Sequence, residues 1–570
     1  MTYQALDLKA QAIVLRYAQR RRIDAAGLND YLSPKIDPHR WTLPDADKAE
    51  ARLRHAIATN ERIAIFGDYD ADGITSVSIL LRFFYECTTL RPSWKLPDRR
   101  NDQYGLDLTM AAKLVAEFQP QLLFCLDNGT NSVETIAWLR GLGVEVIVVD
   151  HHPMVSRAAE AVALVNPAAY PDRPSGDLTN LCAAGLTLFL CAYLAEAWGC
   201  RDRWDNVTAT MLAGIGTLAD AVRLSPTNRA IIKNSLSLLN SQTALERCAG
   251  LKALVPADGQ RISQRRVQFE IAPPLNALGR LESPTPGVEL LTSDDPVKAQ
   301  NIAAHCRALN ERRKVLQKQI VEQALSQGQE QLRRHPALPV LVLADASWLP
   351  GVVGPAASRV AEQLGRSAIL VGIDSAPNRW KGSGRAHNSD HLGAWLEAVK
   401  ALGMVERGGG HAAAVGVALR SEQIDQLRGI APHIVMPQTS HHEAESEVVG
   451  DDNELSPAEW LQVFDLLEPF GPGNPAPLLH FGNAKLVSAP TELLLRETGK
   501  PWALKGAFQV DDRSLSVVWT DVDRGRSIWH PGARYDLELE LTARPYQGRM
   551  YFNWSVSNCA QRPPSGMEKR

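Results

Sequence analysis

The chain has 570 residues, of which 45% are hydrophobic and 22% charged, an ordinary globular composition. At roughly 100–200 residues per domain, this length predicts three or four domains and excludes a single core. The formal net charge of -3 excludes a polycation, so any affinity for nucleic acid has to come from a local basic patch.

Cysteine usage and the first residues indicate a cytoplasmic protein. The eight cysteines form no CxxC pair, which predicts reduced core thiols and neither a disulfide framework nor a zinc site. The opening MTYQALDLKAQ has neither the basic nor the apolar region of a secretion signal. The most apolar segment, 181–198, includes Glu196 and is interpreted as a buried core helix, so no membrane association is expected.

Apolar patterns divide the chain into successive segments. Between 51 and 235, short apolar runs typical of buried parallel strands alternate with helical stretches, which predicts a doubly wound α/β domain. A second α/β pattern begins at PALPVLVLADASW, and four strand-like runs near the end predict a small β-barrel or sandwich. The predicted segments are a helical lead-in (1–50), the first α/β domain (51–235), a helical insert with a long connecting helix (236–335), the second α/β domain (336–433), a polar linker (434–446), the β domain (447–560) and a disordered tail (561–570).

Three strand candidates of the first α/β domain end in acidic residues. IAIF leads to Asp68, Asp70 and Asp72, LLFCL leads to Asp127, and VEVIVV leads to Asp150-His151-His152. Ligands of open parallel sheets bind outside the carboxyl ends of the strands, so we expect these side chains to converge. A further candidate, Asp220, lies in GTLADAV.

Converging carboxylates repel one another unless a cation holds them ionised. Oxygen ligands with one or two imidazoles suit Mg²⁺ or Mn²⁺, and five or six ligands exceed the needs of one ion. We therefore predict two ions about 3.5–4 Å apart, with Asp127 as the bridging ligand. Such a pair polarises a phosphoryl oxygen, lowers the pKa of a bound water and stabilises the leaving oxygen, which is hydrolytic phosphodiester chemistry.

These motifs resemble the DHH phosphoesterase superfamily. GDYDADGITS resembles its first motif, LDNGTNS the second, the Asp150-His151-His152 triplet the third and GTLADAV the fourth, while GGGHAAAVG resembles the phosphate-binding motif of the DHHA1 domain. PPLNALGRLESP, WLPGVVGPAASRVAEQ, KGSGRA and LEPFGPGNPAPLL resemble stretches of the RecJ family of bacterial single-strand-specific exonucleases within this superfamily. The resemblance covers nearly the whole chain in matching order.

The resemblance implies a role for each matching residue. It implies metal ligation by Asp68, Asp70, Asp72, Asp127, His151 and Asp220, with Asp68 a ligand or a close neighbour of the ligands. His152 would contact the scissile phosphate, and Asp150 would orient a histidine from behind. The implied DNA contacts are Arg99, Asn276 and Arg280 on the backbone, Ser383 and Arg385 on the 5′ end, and Gly408, Gly409, Gly410 and His411 as an anion-binding nest.

The terminal β domain resembles an OB-fold, which binds single strands through a basic groove and aromatic stacking. Its aromatic residues Trp519, Tyr546, Tyr551, Phe552 and Trp554 are either core or stacking residues, with core favoured. Basic residues on the long helix form either a stripe that faces DNA or a solvated surface: Arg307, Arg312, Arg313, Lys314 and Lys318.

The chain departs from the family pattern at a few positions, none of them a ligand. Leu349 replaces a histidine, Pro355 follows GVVG, Ala386 replaces a serine, and Thr130-Asn131 replaces Ile-Ser. These departures concern substrate positioning and leave the expected reaction unchanged.

The family implies a monomeric 5′→3′ exonuclease that acts on single-stranded DNA in repair and recombination and releases 5′-mononucleotides. Single-strand binding protein and a RecQ-type helicase are its expected partners. One alternative is a DHH phosphodiesterase for short oligonucleotides or cyclic dinucleotides, which would need neither the long insert nor the β domain. Another is a non-catalytic single-strand-binding scaffold, against which the full Asp/His set argues.

Overall fold

The computed structural model describes residues 3–37, 42–100, 102, 105–155, 160–170, 172, 175–374, 378–438, 448–451, 455–494, 501–511, 513–520, 522–546 and 549–562. The chain forms two compact units. One contains residues 36–222 and 231–442, and the other contains residues 1–35, 223–230 and 443–570. No helix in the described part of the chain is both long and apolar enough to cross a membrane.

The chain begins with two helices and continues into a parallel α/β domain. The elements are α1 (Leu8–Arg20), α2 (Ala25–Leu32), α3 (Ala46–Ala58), β1 (Ile63–Phe66), α4 (Ala71–Cys87), β2 (Ser93–Lys95), α5 (Leu108–Phe118), β3 (Leu122–Leu126), α6 (Val133–Gly141), β4 (Glu145–Val149), β5 (Ala163–Val165), α7 (Ala183–Ala197) and α8 (Asn206–Ala219). All strand pairs of the sheet are parallel, in the order β2-β1-β3-β4-β5. The strand order reverses between β1 and β3, the switch point at which such sheets bind ligands.

Helices cover both faces of this sheet, which confirms the predicted doubly wound domain. Leu123 and Cys125 of β3 pack in a cluster with residues of α5 and α6. Between them in sequence, Phe124 points to the other face and packs edge-on against Phe84 of α4. On that face α7 is buried along most of its length, which accounts for the apolar segment 181–198.

A run of helices links the two α/β domains. It comprises α9 (Pro226–Leu239), α10 (Gln242–Leu245), α11 (Ala249–Leu254), α12 (Gln264–Arg266), a π-helical turn (Val267–Ile271), α13 (Ala272–Leu281), α14 (Thr285–Thr292) and α15 (Pro296–Arg334). The 39-residue α15 is the predicted long helix, and its amino end is capped by the Asp295 side chain.

The second α/β domain contains a mixed sheet. Its elements are β6 (Val340–Ala344), α16 (Pro350–Leu364), β7 (Ser367–Ile373), β8 (Arg379–Arg385), α17 (Leu392–Ala401), β9 (Arg407–Gly410), β10 (Ala414–Arg420) and α18 (Ser421–Ile430). The strand order is β6-β7-β8-β10-β9, with only the β6–β7 pair parallel. The strand β9 therefore lies at an edge of the sheet.

The other unit contains a closed β-barrel of OB type. Its elements after α1 and α2 are β11 (Val448–Asp451), α19 (Pro457–Leu467), β12 (Leu478–Leu486), β13 (Thr491–Leu494), β14 (Pro501–Val510), β15 (Arg513–Trp519), α20 (Val522–Ile528), β16 (Arg534–Tyr546) and β17 (Arg549–Gln561). The β12–β14 pairing closes the cycle β12-β14-β15-β17-β16, with β15 and β17 parallel. This order and the helix before the fourth barrel strand are those of an OB-fold, so the predicted barrel is confirmed.

The amino-terminal helices share a hydrophobic core with the barrel. Ile13 and Tyr17 of α1 belong to the same buried cluster as Trp460 of α19 and Phe508 of β14. The Tyr17 hydroxyl also donates to the backbone oxygen of Pro475, 2.9 Å away. Residues 1–35 of the predicted lead-in are thus part of the carboxyl-terminal unit, a long-range grouping that no local pattern indicates, whereas residues 36–50 belong to the other unit. Of the predicted linker and tail, 439–446 and 563–570 lie outside the described residues.

Candidate metal centre and anion pocket

The loop after β1 is built around backbone hydrogen bonds to two of its carboxylates. Asp70 caps α4, because its Oδ1 accepts the N–H groups of Asp72 at 3.0 Å and Gly73 at 3.2 Å. Asp68 accepts the N–H of Tyr69 at 2.7 Å. A Cβ at position 73 would lie 2.5 Å from the backbone oxygen of Asp68, so only glycine allows the loop to fold back over the helix start.

Asp72 caps a second helix. Its two carboxylate oxygens accept the N–H groups of Ala183 at 2.8 Å and Ala184 at 2.9 Å, the first residues of α7. The side chain is 1% exposed. The Asp72 side chain thus joins the start of α4 to the start of α7 inside the domain.

His151 lies among carboxylates from three other elements. Its Nε2 is 3.3 Å from an oxygen of Asp127, 3.7 Å from Asp220 and 4.0 Å from Asp72. Asp127 follows β3 in the left-handed region, with φ 63°, and its N–H donates to the Val149 oxygen of β4. This uncommon backbone conformation for an aspartate turns the chain at the switch point.

The six predicted ligands converge. Two groups without a shared member each bring three potential ligand atoms within 4.8 Å of one another: Asp68, Asp70 and Asp127 in one, and Asp72, His151 and Asp220 in the other. A third group joins Asp127 to both histidines, so Asp127 belongs to two of the three. The arrangement provides two adjacent sets of hard donors with Asp127 at their junction.

Burial and mutual repulsion raise the pKa of four carboxyl groups in this cluster, those of Asp68, Asp70, Asp127 and Asp220. Burial and then Asp70 raise the pKa of Asp68 well above its usual value, and burial and then Asp72 do the same for Asp127. The pKa of Asp70 is also raised, and that of Asp220 reaches about 8, in both cases through burial and then Asp72. A nearby positive charge would keep these carboxyl groups ionised, so this set of ligand atoms fits divalent cations.

Asp150 organises the histidine motif from behind. One of its oxygens accepts the N–H groups of His151 at 2.8 Å and His152 at 3.2 Å, and the other accepts the Thr130 N–H at 3.1 Å. Burial opposes the charge of Asp150, but its bond with the His152 ring lowers its pKa to about 2. The same bond outweighs burial at His152 and raises the pKa of His152 to about 9. Burial lowers the pKa of His151.

The α13 helix contacts the β1 loop and carries two of the predicted DNA-binding residues. Asn276 accepts the N–H of Ala71 at 2.8 Å. A Cβ at Gly279 would lie 2.4 Å from the Tyr69 oxygen, so helix and loop meet backbone to backbone. Arg99 stacks on the Tyr69 ring with its guanidinium carbon 5.1 Å from the centroid.

Arginines gather around the start of α16. Arg280 donates to the Gly351 oxygen at 3.1 Å. A Cβ at Gly354 would lie 3.4 Å from both the Arg385 guanidinium and the Ser383 hydroxyl, so these two residues also face this helix. Burial and then Arg99 lower the pKa of Arg280 to about 10, and the same two causes lower that of Arg385. Guanidinium groups from both α/β domains therefore lie near one another beside the carboxylates, and we call this group of Arg99, Arg280 and Arg385 the candidate anion pocket.

One residue of the predicted basic stripe turns toward this pocket. Arg312, Lys314 and Lys318 are exposed, and Lys314 pairs with Glu311 at 2.7 Å. Arg307 donates to the Ala253 oxygen at 2.8 Å. Arg313 is half-buried, and its charge contributes to the lowered pKa of Arg280. The stripe thus consists of residues in different environments.

The glycine-rich residues lie on the second sheet. Gly408, Gly409 and Gly410 belong to the edge strand β9, where Gly410 has φ 152° and a Cβ would lie 2.3 Å from the Ala414 oxygen. His411 is exposed and its N–H donates to the same oxygen at 2.9 Å. Within the described residues, no hydrogen bond or ion pair links this segment to the carboxylates or the arginines.

The departures from the family pattern and the barrel aromatics have specific surroundings. Leu349 directly precedes α16, its side chain makes no capping hydrogen bond to the helix, and it is 41% exposed. Ala386 donates its N–H to the Ala413 oxygen. Trp519 and Trp554 are buried in the barrel core, as the favoured alternative predicted. The side chains of Tyr546, Tyr551 and Phe552 lie outside the described residues.

Sequence reasoning missed Asn166, which follows β5 and is fully buried. Its Nδ2 donates to the Thr130 hydroxyl at 2.8 Å and to the His152 oxygen at 2.9 Å, so it links the second and third motifs. The available signal was its place after an apolar run and before a proline, the same strand-end position as the acids.

Comparisons with known proteins agree with this organisation. The family model described as the DHH family, N-terminal domain, matches residues 62–215, and that of the DHHA1 domain matches 337–435. The chain resembles the crystal structure of RecJ with Mn²⁺ from Thermus thermophilus, with a TM-score of 0.75, 24% identity and coverage of 97% of this chain and 76% of that one. It also resembles an exonuclease RecJ bound to manganese, with a TM-score of 0.59, 28% identity and coverage of 70% and 95%.

Two curated relatives are named single-stranded-DNA-specific exonuclease RecJ. The Bacillus subtilis protein is 31% identical over 451 residues, which are 77% of this chain and 54% of the relative. The Escherichia coli protein is 31% identical over 502 residues, which are 84% of this chain and 85% of the relative. This chain belongs to the RecJ family of the DHH/DHHA1 proteins.

Proposed function

We propose that this chain is a divalent-cation-dependent exonuclease that degrades single-stranded DNA from the 5′ end to 5′-mononucleotides. The observation that carries the proposal is the adjacency of two structures. A cluster of buried carboxylates with raised pKa values lies beside a pocket of arginines that faces α16. Family membership supports the same reading, since the relatives are named for this activity.

The residues that would hold two Mn²⁺ or Mg²⁺ ions are Asp68, Asp70, Asp72, Asp127, His151 and Asp220, with Asp127 between the two sets. When bound, the ions would polarise the phosphoryl oxygens, lower the pKa of the attacking water and stabilise the leaving oxygen. Their ligands fit this role because carboxyl groups with raised pKa values gain most from a neighbouring cation.

The neighbouring side chains would position the phosphates. With a pKa of about 9, His152 is protonated at neutral pH and would donate from Nε2 to the scissile phosphate, while Asp150 fixes its ring from the Nδ1 side. Arg280, Arg385 and Ser383 would hold the 5′ end, and Arg99 the adjacent backbone. Gly408–Gly410 would offer the open edge of β9 to a further phosphate.

A channel between the two α/β domains would admit one strand and reject a duplex, and the OB barrel would bind single-stranded DNA. Single-strand binding protein and a RecQ-type helicase are proposed partners in the cytoplasm, because both act where single strands form. The 5′→3′ polarity follows from placing the arginine pocket at the terminal phosphate.

A single labelled-substrate experiment tests the proposal. Single strands labelled at the 5′ or the 3′ end, a duplex, a dinucleotide and a cyclic dinucleotide are incubated with Mn²⁺, with and without chelator. We expect immediate release of the 5′ label as mononucleotide from the single strands, and none with chelator. Cleavage of dinucleotides alone, or binding without hydrolysis, would contradict the proposal. Full activity in an Asp127→Ala variant would refute the ligand assignment.

A further inference from the structure

Pro355 lies inside a helix, where a proline removes a backbone hydrogen bond. The α16 helix runs through it from Pro350 to Leu364. Proline has no N–H, so it cannot make the bond to the carbonyl four residues earlier. That carbonyl belongs to Gly351, and the sequence Gly-Val-Val-Gly-Pro therefore leaves it free to accept from another donor.

Arg280 donates a hydrogen bond to the Gly351 carbonyl. Its Nη1 lies 3.1 Å from the Gly351 oxygen. The two backbones also meet here, because a Cβ at position 351 would lie 2.1 Å from the Arg280 oxygen. Arg280 is thus held by both its main chain and its guanidinium at the start of α16.

The carbonyl of Pro355 is connected to a second arginine, Arg313, through the hydrogen bonds of Gln317. It accepts from Nε2 of Gln317 at 3.2 Å, and Oε1 of Gln317 accepts from Nη1 of Arg313 at 2.8 Å. The Nε of Arg313 donates to Oδ1 of Asn310 at 3.0 Å. Asn310 and Gln317 are buried, 4% and 8% exposed, so the Arg313 guanidinium is held in place by rigid partners.

Neither arginine is neutralised by its partners. The groups that hold them are a backbone carbonyl and two side-chain amides, which orient a guanidinium without cancelling its charge. Among the described residues, neither Arg280 nor Arg313 forms an ion pair with a carboxylate. Two half-buried positive charges therefore lie near the start of α16, an arrangement that suits an anionic ligand.

We propose that Pro355 is a positioning residue for Arg280, which together with Arg313 forms a pair of phosphate-binding groups for the 5′ end of the DNA. This inference rests on the proposed function and adds two residues to it. Replacing Pro355 by alanine would supply an N–H to the Gly351 carbonyl. The helix bond would then compete with Arg280 for the same acceptor. The alanine is compatible with the helix, so the change acts on Arg280 while α16 stays folded.

The test compares affinities for 5′-phosphorylated and 5′-hydroxyl oligothymidylates of equal length, measured with the full chain by fluorescence anisotropy in chelator. The ratio of the two dissociation constants isolates recognition of the terminal phosphate. We expect Pro355→Ala to reduce the ratio roughly fivefold and Arg313→Ala roughly tenfold. Pro296→Ala removes a proline from the first turn of another helix, and Arg312→Ala removes an exposed neighbouring charge, so both should leave the ratio unchanged.

A double-mutant cycle separates positioning from general damage. In an Arg280→Ala background, Pro355→Ala should change the ratio no further than Arg280→Ala alone. An unchanged ratio in Pro355→Ala, or an equal loss with and without Arg280 and Arg313, would overturn the inference. If the wild-type chain cleaves from the 5′ end and yet Pro355→Ala behaves as wild type, only this inference fails. No 5′-phosphate preference and no cleavage in the wild type would refute the proposed function as well.

Discussion

The Nδ1 atom of His152 lies 2.7 Å from a carboxylate oxygen of Asp150, whose side chain is completely buried. The pair is held further by backbone N–H groups from both motifs, so the imidazole has one orientation. Its charge follows from the same contact, which holds the pKa of His152 at about 9 against the opposing effect of burial. The role of the acid is therefore electrostatic as well as geometric.

Asp150→Asn should change the pH dependence of cleavage. Without the carboxylate, the pKa of His152 should fall to about its usual value of 6.5, because burial is then opposed only by the weaker attraction of Asp68 and Asp220. The protonated fraction at pH 8 would drop about 30-fold, and kcat/KM should drop with it, while the loss at pH 6 should be smaller. The measurement is the pH profile of kcat/KM for both enzymes. If kcat/KM falls by the same factor at every pH and the profile keeps its shape, Asp150 acts only by maintaining the fold.

The metal-free protein should lose stability as the pH rises from 6.5 to 8. A group whose pKa is higher in the folded state stabilises the fold below its usual pKa, and this contribution is lost as the pH passes the folded value. Asp220, with a pKa of about 8, and His152, with about 9, both act in this direction over that range. The measurement is the Tm in chelator at several pH values.

Adding Mn²⁺ should reverse this trend and raise the Tm more at pH 8 than at pH 6, because cations bind ionised carboxylates and deprotonated imidazole. Asp220→Asn serves as the control, since it should flatten the pH dependence in chelator and reduce the Mn²⁺ effect. A Tm in chelator that rises over this range would contradict the electrostatic description of the cluster.

Asp72→Ala should destabilise the protein even in the absence of metal. The substitution leaves the buried N–H groups of Ala183 and Ala184 without their acceptors, at a cost of about 2–4 kcal/mol in the free energy of unfolding. Asp72→Asn keeps one acceptor oxygen and should cost less. Urea unfolding in chelator measures both. Asp220→Ala, at a residue that is 29% exposed, is the control and should relieve repulsion. An Asp72→Ala cost no larger than that of the control would rule out the capping role.

Local patterns predicted those parts of the molecule whose partners lie close in sequence or at equivalent strand ends. Asp68, Asp127 and His151 each follow an apolar run, and parallel strands place such residues at one edge. The barrel strands were visible because they succeed one another along the chain. The link between α1 and the barrel was not, since Tyr17 and Pro475 are 458 residues apart.

The direction in which a helical side chain points could not be predicted from the sequence either. Arg312 and Arg313 are neighbours with the same charge, and only packing decides that the second is enclosed by Asn310 and Gln317. The capping of α7 by Asp72 was hidden for another reason. The side chain carries two functions, and the pattern after β1 indicates only the metal-binding one.

Asn166→Ala tests a residue that the sequence did not reveal. The change removes bonds to the fully buried Thr130 hydroxyl and to the partly buried His152 oxygen. We expect a loss of about 2–3 kcal/mol in the free energy of unfolding, since buried groups without partners keep their full desolvation penalty. Cleavage should fall about tenfold, because the loop that carries His152 is released from the second motif.

A second asparagine provides a matched control for this change. Asn131 joins the same two loops through Pro153 and Val155, but it is exposed, so water replaces its bonds. Asn131→Ala should therefore cost no more than about 0.5 kcal/mol and leave the cleavage rate nearly unchanged. Urea unfolding and single-turnover cleavage of a 5′-labelled strand measure the two variants side by side. If the two variants lose equal stability and activity, the burial of Asn166 does not determine its contribution to stability. The second and third motifs would then be connected mainly by other residues.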